Sequence, residues 1–248
     1  MHGIRESLFA SQSRKMTIQQ QIEILSRQIT QSRFEKMRRA ANFRTRYLTV
    51  VLEDIFQPHN AAAVLRNCDA FGLQQVHFIE NKFRLRISNN VDMGVSKWQD
   101  VFRYTSPLAR IQRNGMPKDH NVYPEEVENT RRALDDIRAK GYVLAASVLG
   151  AKASLDDIPT DKPIALMVGT ELTGLSETAQ EMADISFSVD MLGFAQSFNL
   201  SVFSALCLSS LSRRIRENQQ WQLSDFERDE LLLNWLKISI PDWQKFIA

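Results

Sequence analysis

Apolar runs alternate with amphipathic stretches along most of the chain. Apolar residues recur at helical spacing in residues 17–40, with glutamine and arginine between them, which predicts an amphipathic helix. Further along, runs rich in β-branched and aromatic residues predict buried strands. The strands are expected at residues 47–56, 76–80, 142–148, 163–168 and 185–189.

Helices are predicted between these strands. Asn60 is placed to cap the first helix, and Gly72 follows its last turn as the residue that closes it. The alternation of strands and helices predicts an α/β fold with a mostly parallel sheet. Further helices are predicted at residues 125–140, 176–183 and 200–216, and from a capping box of Ser224 and Glu227.

Charge separates the beginning of the chain from the rest. The whole chain of 248 residues carries a net charge of +2. Residues 13–46 contain nine basic and two acidic side chains, so this segment is +7 and the remainder is −5. A basic arm on a mildly acidic body indicates a polyanionic partner, although a solvated helix face gives the same pattern.

Several classes of protein are disfavoured by what the chain lacks. The two cysteines, Cys68 and Cys207, have no metal-type spacing and sit in apolar helical patterns, so buried free thiols are expected. The four histidines are scattered, and no metal site is predicted. No apolar run is long enough to span a membrane and no signal peptide is visible, so the expected location is cytoplasmic. Glycine-rich dinucleotide, P-loop and hydrolase motifs are also missing.

Polar side chains gather where the predicted strands end. Ligand sites of open α/β sheets lie at the carboxyl ends of the strands, so these residues predict one shared site. Each also has an ordinary interpretation, as a surface turn, a surface arginine or a helix cap. A glycine beside them, Gly169, is expected to let a ligand approach the backbone. The candidate catalytic residues are Asn60, Arg66, Glu171, Ser197 and Asn199.

Three segments in this order resemble the TrmH (SpoU) branch of the SPOUT family of RNA 2′-O-ribose methyltransferases. The first is Pro58-His59-Asn60 with Arg66 and Gly72, and the others are residues 168–176 and 191–199. The resemblance covers roughly residues 47–216, and Met93-Gly94 with Trp98 also looks like a family feature. The first 45 or so residues match no family feature.

The resemblance implies a SPOUT-type mostly parallel sheet with helices on both faces and a C-terminal trefoil knot. It also implies S-adenosylmethionine as cofactor and an obligate homodimer with the site at the subunit boundary. The family usually has leucine at the position of Phe198, which indicates a local change in the cofactor pocket. The expected cofactor-binding residues are Ala146, Gly169, Val189, Met191, Gly193 and Phe198.

The segments look most like those of family members that methylate the D-loop guanosine of tRNA. Methylation of 23S ribosomal RNA is the first alternative, because ribosomal RNA enzymes share the motifs. A non-catalytic RNA-binding or assembly factor is the second, and a small-molecule α/β enzyme the third. The expected division of the chain is a basic helical extension at 1–45, the methyltransferase domain at 46–216 and a helical tail at 217–248.

Overall fold

The computed structural model describes residues 16–85, 94–111, 121–170, 172–218 and 220–247. Its described strands are β1 Leu48–Glu53, β2 Gln75–Glu80, β3 Phe83–Arg84, β4 Asp100–Thr105, β5 Arg110–Ile111, β6 Val143–Ser147, β7 Ala153–Ser154, β8 Ile164–Val168 and β9 Ile185–Ser188. Its described α-helices are α1 Ile18–Ser26, α2 Gln31–Asn42, α3 Pro58–Ala70, α4 Pro124–Ala139, α5 Glu177–Glu181, α6 Leu200–Asn218, α7 Asp225–Ser239 and α8 Gln244–Ile247.

The chain divides into two compact units. Among the described residues, those within 42–223 form one unit, and those within 16–41 and 224–247 form the other. The two ends, which the sequence analysis treated as separate segments, are joined in this second unit because α1 packs against α7 and α8. The amide of Gln19 donates a hydrogen bond to the carboxylate of Asp229 across that contact, at 3.2 Å.

The prediction of one continuous amphipathic helix at residues 17–40 was wrong, because the structure has two helices there. The first is α1, which begins at a capping box formed by Thr17 and Gln20. It ends at Arg27, and the hydroxyl of Thr30 then accepts a hydrogen bond from the backbone N–H of Arg33 at 3.3 Å. Thr30 thus caps α2 as Thr17 caps α1, and the helical spacing of apolar residues continues across the break between the two helices.

The larger unit contains a seven-stranded sheet whose strand order is β4-β2-β1-β8-β6-β9-β7. Every described pair of neighbours in it is parallel. The predicted α/β fold with a mostly parallel sheet is therefore confirmed, while the trefoil knot stays a prediction. Residues 101–104, for which the sequence analysis assigned no element, belong to the edge strand β4.

Helices cover both faces of this sheet. Because strand side chains alternate, Val50 and Leu52 join a core that includes residues of α3 and α6. Val51 joins a second core with Leu134 and Ile137 of α4. Both faces are buried, which explains why β1 and β8 read as continuous apolar runs.

The first crossover helix, α3, begins differently from the prediction and ends as predicted. The N-cap of α3 is Gln57 and Pro58 holds the first helical position, so Asn60 is the third residue of the helix. The prediction that Asn60 caps this helix was therefore wrong. Gly72 does close it, with φ +78°, and a Cβ there would lie 2.4 Å from the carbonyl oxygen of Phe43.

None of the helices in the described parts of the chain combines the length and apolar character that crossing a bilayer requires.

Candidate functional site

A cavity of about 680 Å³ opens at the carboxyl ends of β1, β2 and β8. This is the end of a parallel sheet where α/β proteins bind their ligands. Residues that follow each of the three strands line it, and so do Asn60 at the start of α3 and Asn199 immediately before α6. The volume lies within the range of about 300–1,000 Å³ that is usual for small-molecule sites.

A set of four side chains, here called the polar network, forms one wall of the cavity. The carboxylate of Glu53, only 3% exposed, accepts hydrogen bonds from the backbone N–H and hydroxyl of Ser176, both at 2.8 Å. It also accepts one from the hydroxyl of Thr130 at 2.9 Å, and that hydroxyl accepts one from the amide of Asn81 at 2.8 Å. The network ties β1, β2, α4 and the N-cap of α5 together, so this wall is rigid.

Asp54 follows the network at the end of β1 and has a backbone φ of +51°. Its Oδ1 accepts hydrogen bonds from the backbone N–H groups of Asn81, Lys82 and Phe83, at 2.7, 2.8 and 3.4 Å. Burial raises the pKa of this carboxyl to about 7, and the nearby charge of Glu53 adds to the rise. The three N–H groups oppose that rise, so Asp54 titrates near neutral pH.

Asn60 and Asn199 are brought together by the fold. Asn60 is 5% exposed, and its Oδ1 accepts a hydrogen bond of 3.5 Å from the amide of Asn199. The Oδ1 of Asn199 in turn accepts one from the backbone N–H of Ser201 at 2.9 Å, so Asn199 caps α6. Asn67 of α3 fixes the same arrangement, because its amide donates to the backbone carbonyl of Ser201 at 2.8 Å.

Arg66 and Ser197 lie on the surface instead. Arg66 is about 9 Å further along the axis of α3 than Asn60. It is exposed and makes no hydrogen bond or ion pair with the described residues. Ser197 is also exposed, in the loop before α6. Neither is among the described residues that line the cavity.

In the loop after β8, a contact within the chain accounts for the glycine at position 169. A Cβ on Gly169 would lie 2.1 Å from the backbone of Gly174, so only glycine fits there. Thr170 pairs with Gly174 through two backbone hydrogen bonds of 3.0 and 3.1 Å. The close approach expected between a ligand and Gly169 is thus made by the chain's own backbone. Glu171, the candidate catalytic carboxylate of this loop, lies outside the described residues.

The loop from 189 to 199 leaves apolar side chains in solvent. Leu192 is 98% exposed and Phe194 108% exposed. A Cβ on Gly193 would meet nothing within 4 Å. Such an apolar surface on a single chain is typical of a site for a ligand or a partner subunit.

The remaining predicted cofactor residues differ in exposure. Ala146 is fully buried in the core on the α4 side of the sheet, so its side chain offers no surface to a ligand. Val189 is half-buried and packs against the core on the α3 side, and Met191 and Phe198 are half-buried in the loop.

Sequence reasoning missed the residues after β1 and β2. The strand predicted at 47–56 contains Glu53 and Asp54, whereas β1 ends at Glu53 and both acids line the cavity. Two adjacent acids at the end of an apolar run were the available signal. Phe56 and Phe83, which also line the cavity, gave no signal of their own.

No group of three or more histidine, cysteine or acidic side chains within the described ranges is arranged to hold a metal ion.

Known proteins match both the sequence and this architecture. Residues 109–209 match the model of the SpoU rRNA Methylase family. The tRNA (guanosine(18)-2'-O)-methyltransferase of Borreliella burgdorferi is 32% identical over 90% of this chain and 93% of its own length. The enzyme of the same name from Thermus thermophilus is 28% identical over 88% of this chain and 98% of its own length.

The fold agrees with these matches. The crystal structure of the Aquifex aeolicus TrmH/SpoU tRNA modifying enzyme superposes with a TM-score of 0.67, at 23% identity, over 84% of this chain and 97% of that one. A parallel sheet with a cavity at its carboxyl edge, together with these relatives, defines the chain as a methyltransferase of the α/β type. It belongs to the SpoU methylase family, so the resemblance found in the sequence is confirmed.

Proposed function

We propose that this chain methylates the ribose 2′-hydroxyl of a guanosine in tRNA, with S-adenosylmethionine as the methyl donor. The observation that carries the proposal is the 3.5 Å contact between Asn60 and Asn199, which unites the first and third motif segments at one cavity. Curated relatives that span most of the chain carry the name tRNA (guanosine(18)-2'-O)-methyltransferase, which supports the choice of RNA and nucleotide.

The side chains serve orientation and charge in this proposal. The methyl donor supplies a sulfonium with a good leaving group, so the protein's tasks are to align the ribose hydroxyl and to accommodate its proton. Arg66 holds a phosphate and the developing alkoxide rather than acting as a base, because guanidinium keeps its proton in proteins. Asn60 and Asn199 orient the ribose, with Glu171 and Ser197 as further positioning groups.

The residues at the end of the sheet fit this cofactor. The loop containing Met191, Gly193 and Phe198 presents an apolar surface with open space at the glycine, which suits an adenosine and a methylthio chain. Val189 extends this surface at the end of β9. Ala146 and Gly169 contribute backbone only, since the first is buried and the second has its side-chain position filled by Gly174.

We also propose that two copies of the chain associate. Leu192 and Phe194 are almost fully exposed in one copy, and Val202 and Leu206, one helical turn apart on α6, are also exposed. A solvated loop is usually polar, so this apolar surface favours a partner subunit. A homodimer would cover these side chains and supply a second set of motif residues near the loop.

The basic segment supplies the contact with RNA in this proposal. Helix α2 carries Arg33, Lys36, Arg38 and Arg39, and all four are exposed. Exposed cations along one short helix suit a phosphate backbone, and neutralising phosphates releases counterions. Binding of tRNA should therefore weaken steeply as salt increases, and replacing two of these residues should reduce that dependence.

The two cysteines fit the proposed cytoplasmic location. Both Cys68 and Cys207 are buried free thiols. Burial raises the pKa of both, to about 12 for Cys207, so neither is reactive at neutral pH. Buried, unpaired thiols are ordinary in a reducing compartment.

Methyl transfer to purified RNA tests the proposed function. The chain would be incubated with labelled S-adenosylmethionine and either total tRNA or ribosomal RNA, and the modified nucleotide would then be mapped. Label on one guanosine ribose of tRNA is the expected result, and label confined to ribosomal RNA would overturn the choice of substrate. If no RNA is labelled and calorimetry detects no cofactor binding, the proposed function fails, and the second alternative, a non-catalytic RNA-binding factor on the same fold, is favoured.

A further inference from the structure

Part of the cavity is built from groups that methyl transfer does not require. Asp54 and Phe56 follow β1, and Phe83 follows β2, and all three line the cavity together with Asn60 and Asn199. The ribose chemistry proposed above involves the two asparagines. The carboxylate and the two aromatic rings therefore need a separate explanation.

The carboxylate of Asp54 is held by one oxygen only. Its Oδ1 accepts all three of the backbone hydrogen bonds described above, while its Oδ2 accepts none from the described residues. The backbone N–H of Asp54 donates to the carbonyl of Ile79 at 2.8 Å, which fixes the turn. Asp54 is half-buried and lines the cavity, and its Oδ2, with two lone pairs, has no donor among the described residues.

The side chains of the polar network beside Asp54 already use their acceptor atoms within the chain. Glu53 already accepts three hydrogen bonds, and the hydroxyl of Thr130 both donates and accepts. The Oδ1 of Asn81 accepts from the amide of Asn129 at 2.8 Å. These groups hold the wall together, so of the adjacent acids Glu53 and Asp54 it is Asp54 that keeps an oxygen, Oδ2, for a ligand donor.

The aromatic rings supply a surface suited to a planar ligand. The ring centroids of Phe56 and Phe83 are 5.1 Å apart, with an angle of 78° between their planes. Both rings are half-buried and border the cavity. Proteins that bind unpaired bases stack them on such rings, and a stacked base contributes about 1–3 kcal/mol.

We propose that this part of the cavity binds the guanine base of the methylated nucleotide, with Asp54 Oδ2 accepting hydrogen bonds from its N1–H and N2–H groups and Phe56 or Phe83 stacking on its face. The inference rests on the proposed function and adds the residues that select the base. Guanine presents two adjacent N–H donors on its Watson–Crick edge. Adenine and cytosine present a ring nitrogen acceptor beside their amino group, which a carboxylate oxygen repels.

The raised pKa of Asp54 agrees with this assignment. Burial disfavours the charged carboxylate, and two N–H donors from a bound base would favour it again. A group in this state gains more from a ligand donor than a solvated surface carboxylate does.

The test is a double-mutant cycle that combines two RNAs, differing in the base at the methylated position, with two proteins, wild type and Asp54→Asn. Matched RNAs would carry guanosine or inosine, which lacks the N2 amino group, at the methylated position. The wild-type chain should show kcat/KM about tenfold or more lower on the inosine RNA, from the loss of one charge-assisted hydrogen bond. Asp54→Asn should lower kcat/KM on guanosine by about 10- to 100-fold and should no longer distinguish the two RNAs.

The controls separate base recognition from folding and from chemistry. Asparagine keeps the Oδ1 acceptor for the three backbone N–H groups, so Asp54→Asn should unfold at a similar denaturant concentration and bind S-adenosylmethionine normally. Phe56→Ala should reduce kcat/KM equally on both RNAs, because stacking does not involve the amino group. Asp135→Asn, at an exposed position on α4, should change neither RNA's kcat/KM.

Equal kcat/KM of the wild-type chain on guanosine and inosine RNAs would overturn the inference, whether or not the Asp54 variant folds. So would a variant that still prefers guanosine by the wild-type factor. If the wild-type chain methylates no RNA, the proposed function itself fails, and the base assignment fails with it.

Discussion

The polar network and the exposed apolar loop both lie at the carboxyl end of the sheet, and they differ in how far one chain alone satisfies their side chains. Glu53, Thr130 and Ser176 are satisfied by one another and stay rigid without a ligand. The loop leaves Leu192 and Phe194 in water. We infer that the chain builds the network during its own folding, while the loop reaches its working environment only with a cofactor or a second copy.

This difference separates two kinds of variant. Changes in the network should lower stability first and activity as a consequence. Changes in the exposed residues, which hold nothing else in place, should lower activity or association with little loss of stability.

The largest effect is expected for Arg66→Ala. Arg66 is exposed and has no partner among the described residues, so unfolding by urea should be unchanged within about 0.5 kcal/mol. Loss of a cation that stabilises developing charge should lower kcat by about 10²–10³-fold, with nearly normal affinity for S-adenosylmethionine. Single-turnover methylation and calorimetry would measure the two quantities.

The matched control for Arg66 is Arg131→Ala, because Arg131 is a half-exposed arginine on α4 with only a 4.0 Å ion pair to Glu181. Its kcat should remain at the wild-type value. A variant at Arg66 that methylates RNA at a near-normal rate would remove this residue from the proposed site.

Glu53→Gln should have the next largest effect, and on stability. The glutamine amide group would face N–H and O–H donors from Ser176 and Thr130 and would leave at least one buried donor unpaired. A loss of about 3 kcal/mol in the free energy of unfolding is expected, since hydrogen bonds to a charged group are among the stronger ones. Urea denaturation of Glu53→Gln beside the exposed control Glu128→Gln measures it. Equal midpoints for the two variants would show that the network contributes little.

Much of this fold could be predicted from the sequence, because its signals are local. Apolar runs gave the strands, Gly72 gave the end of α3, and the Ser224 capping box gave the start of α7. The break between α1 and α2 was missed because Thr30 lies within a continuous apolar period, and a hydroxyl cap there is no stronger a signal than a hydroxyl on a helix surface.

The candidate site was only partly predictable, because its contacts join residues far apart in the chain. Asn60 and Asn199 were recognised through a family resemblance, and no local pattern links two residues 139 positions apart. The partners of Glu53 lie 77 and 123 positions away. The left-handed backbone of Asp54 depends on the loop after β2, which supplies its three hydrogen bonds.

Phe194→Ser tests whether a second copy of the chain covers the exposed apolar loop. If the phenylalanine is covered by a second copy, its loss should weaken association by about 2 kcal/mol, or about 30-fold in the dissociation constant. Sedimentation equilibrium would measure this constant, and urea unfolding of the monomer should be unaffected. Phe226→Ser, at an exposed position on α7, is the comparison. A wild-type chain that stays monomeric at all concentrations would contradict the proposed dimer.

The smallest effect is expected at His77, a buried polar group on β2 that lacks the partners the network provides. Neither ring nitrogen has a hydrogen bond in the described structure, and the ring stacks on Phe102 with centroids 4.8 Å apart. Burial, with the charge of Lys140, lowers its pKa to about 3. The unfolded chain therefore binds a proton near pH 6.5 that the folded chain refuses, so stability should fall as the pH drops below about 6.5.

The loss assigned to His77 should be about 1.4 kcal/mol at pH 5.5 relative to pH 7.5, and it should be absent in His77→Phe, which keeps the stacking and removes the titrating group. Urea unfolding of both proteins at the two pH values gives the difference between them, from which the other titrating groups cancel. Identical pH dependence in the two proteins would mean that water reaches the imidazole, and that burial without a partner is less complete on this face of the sheet than around Glu53.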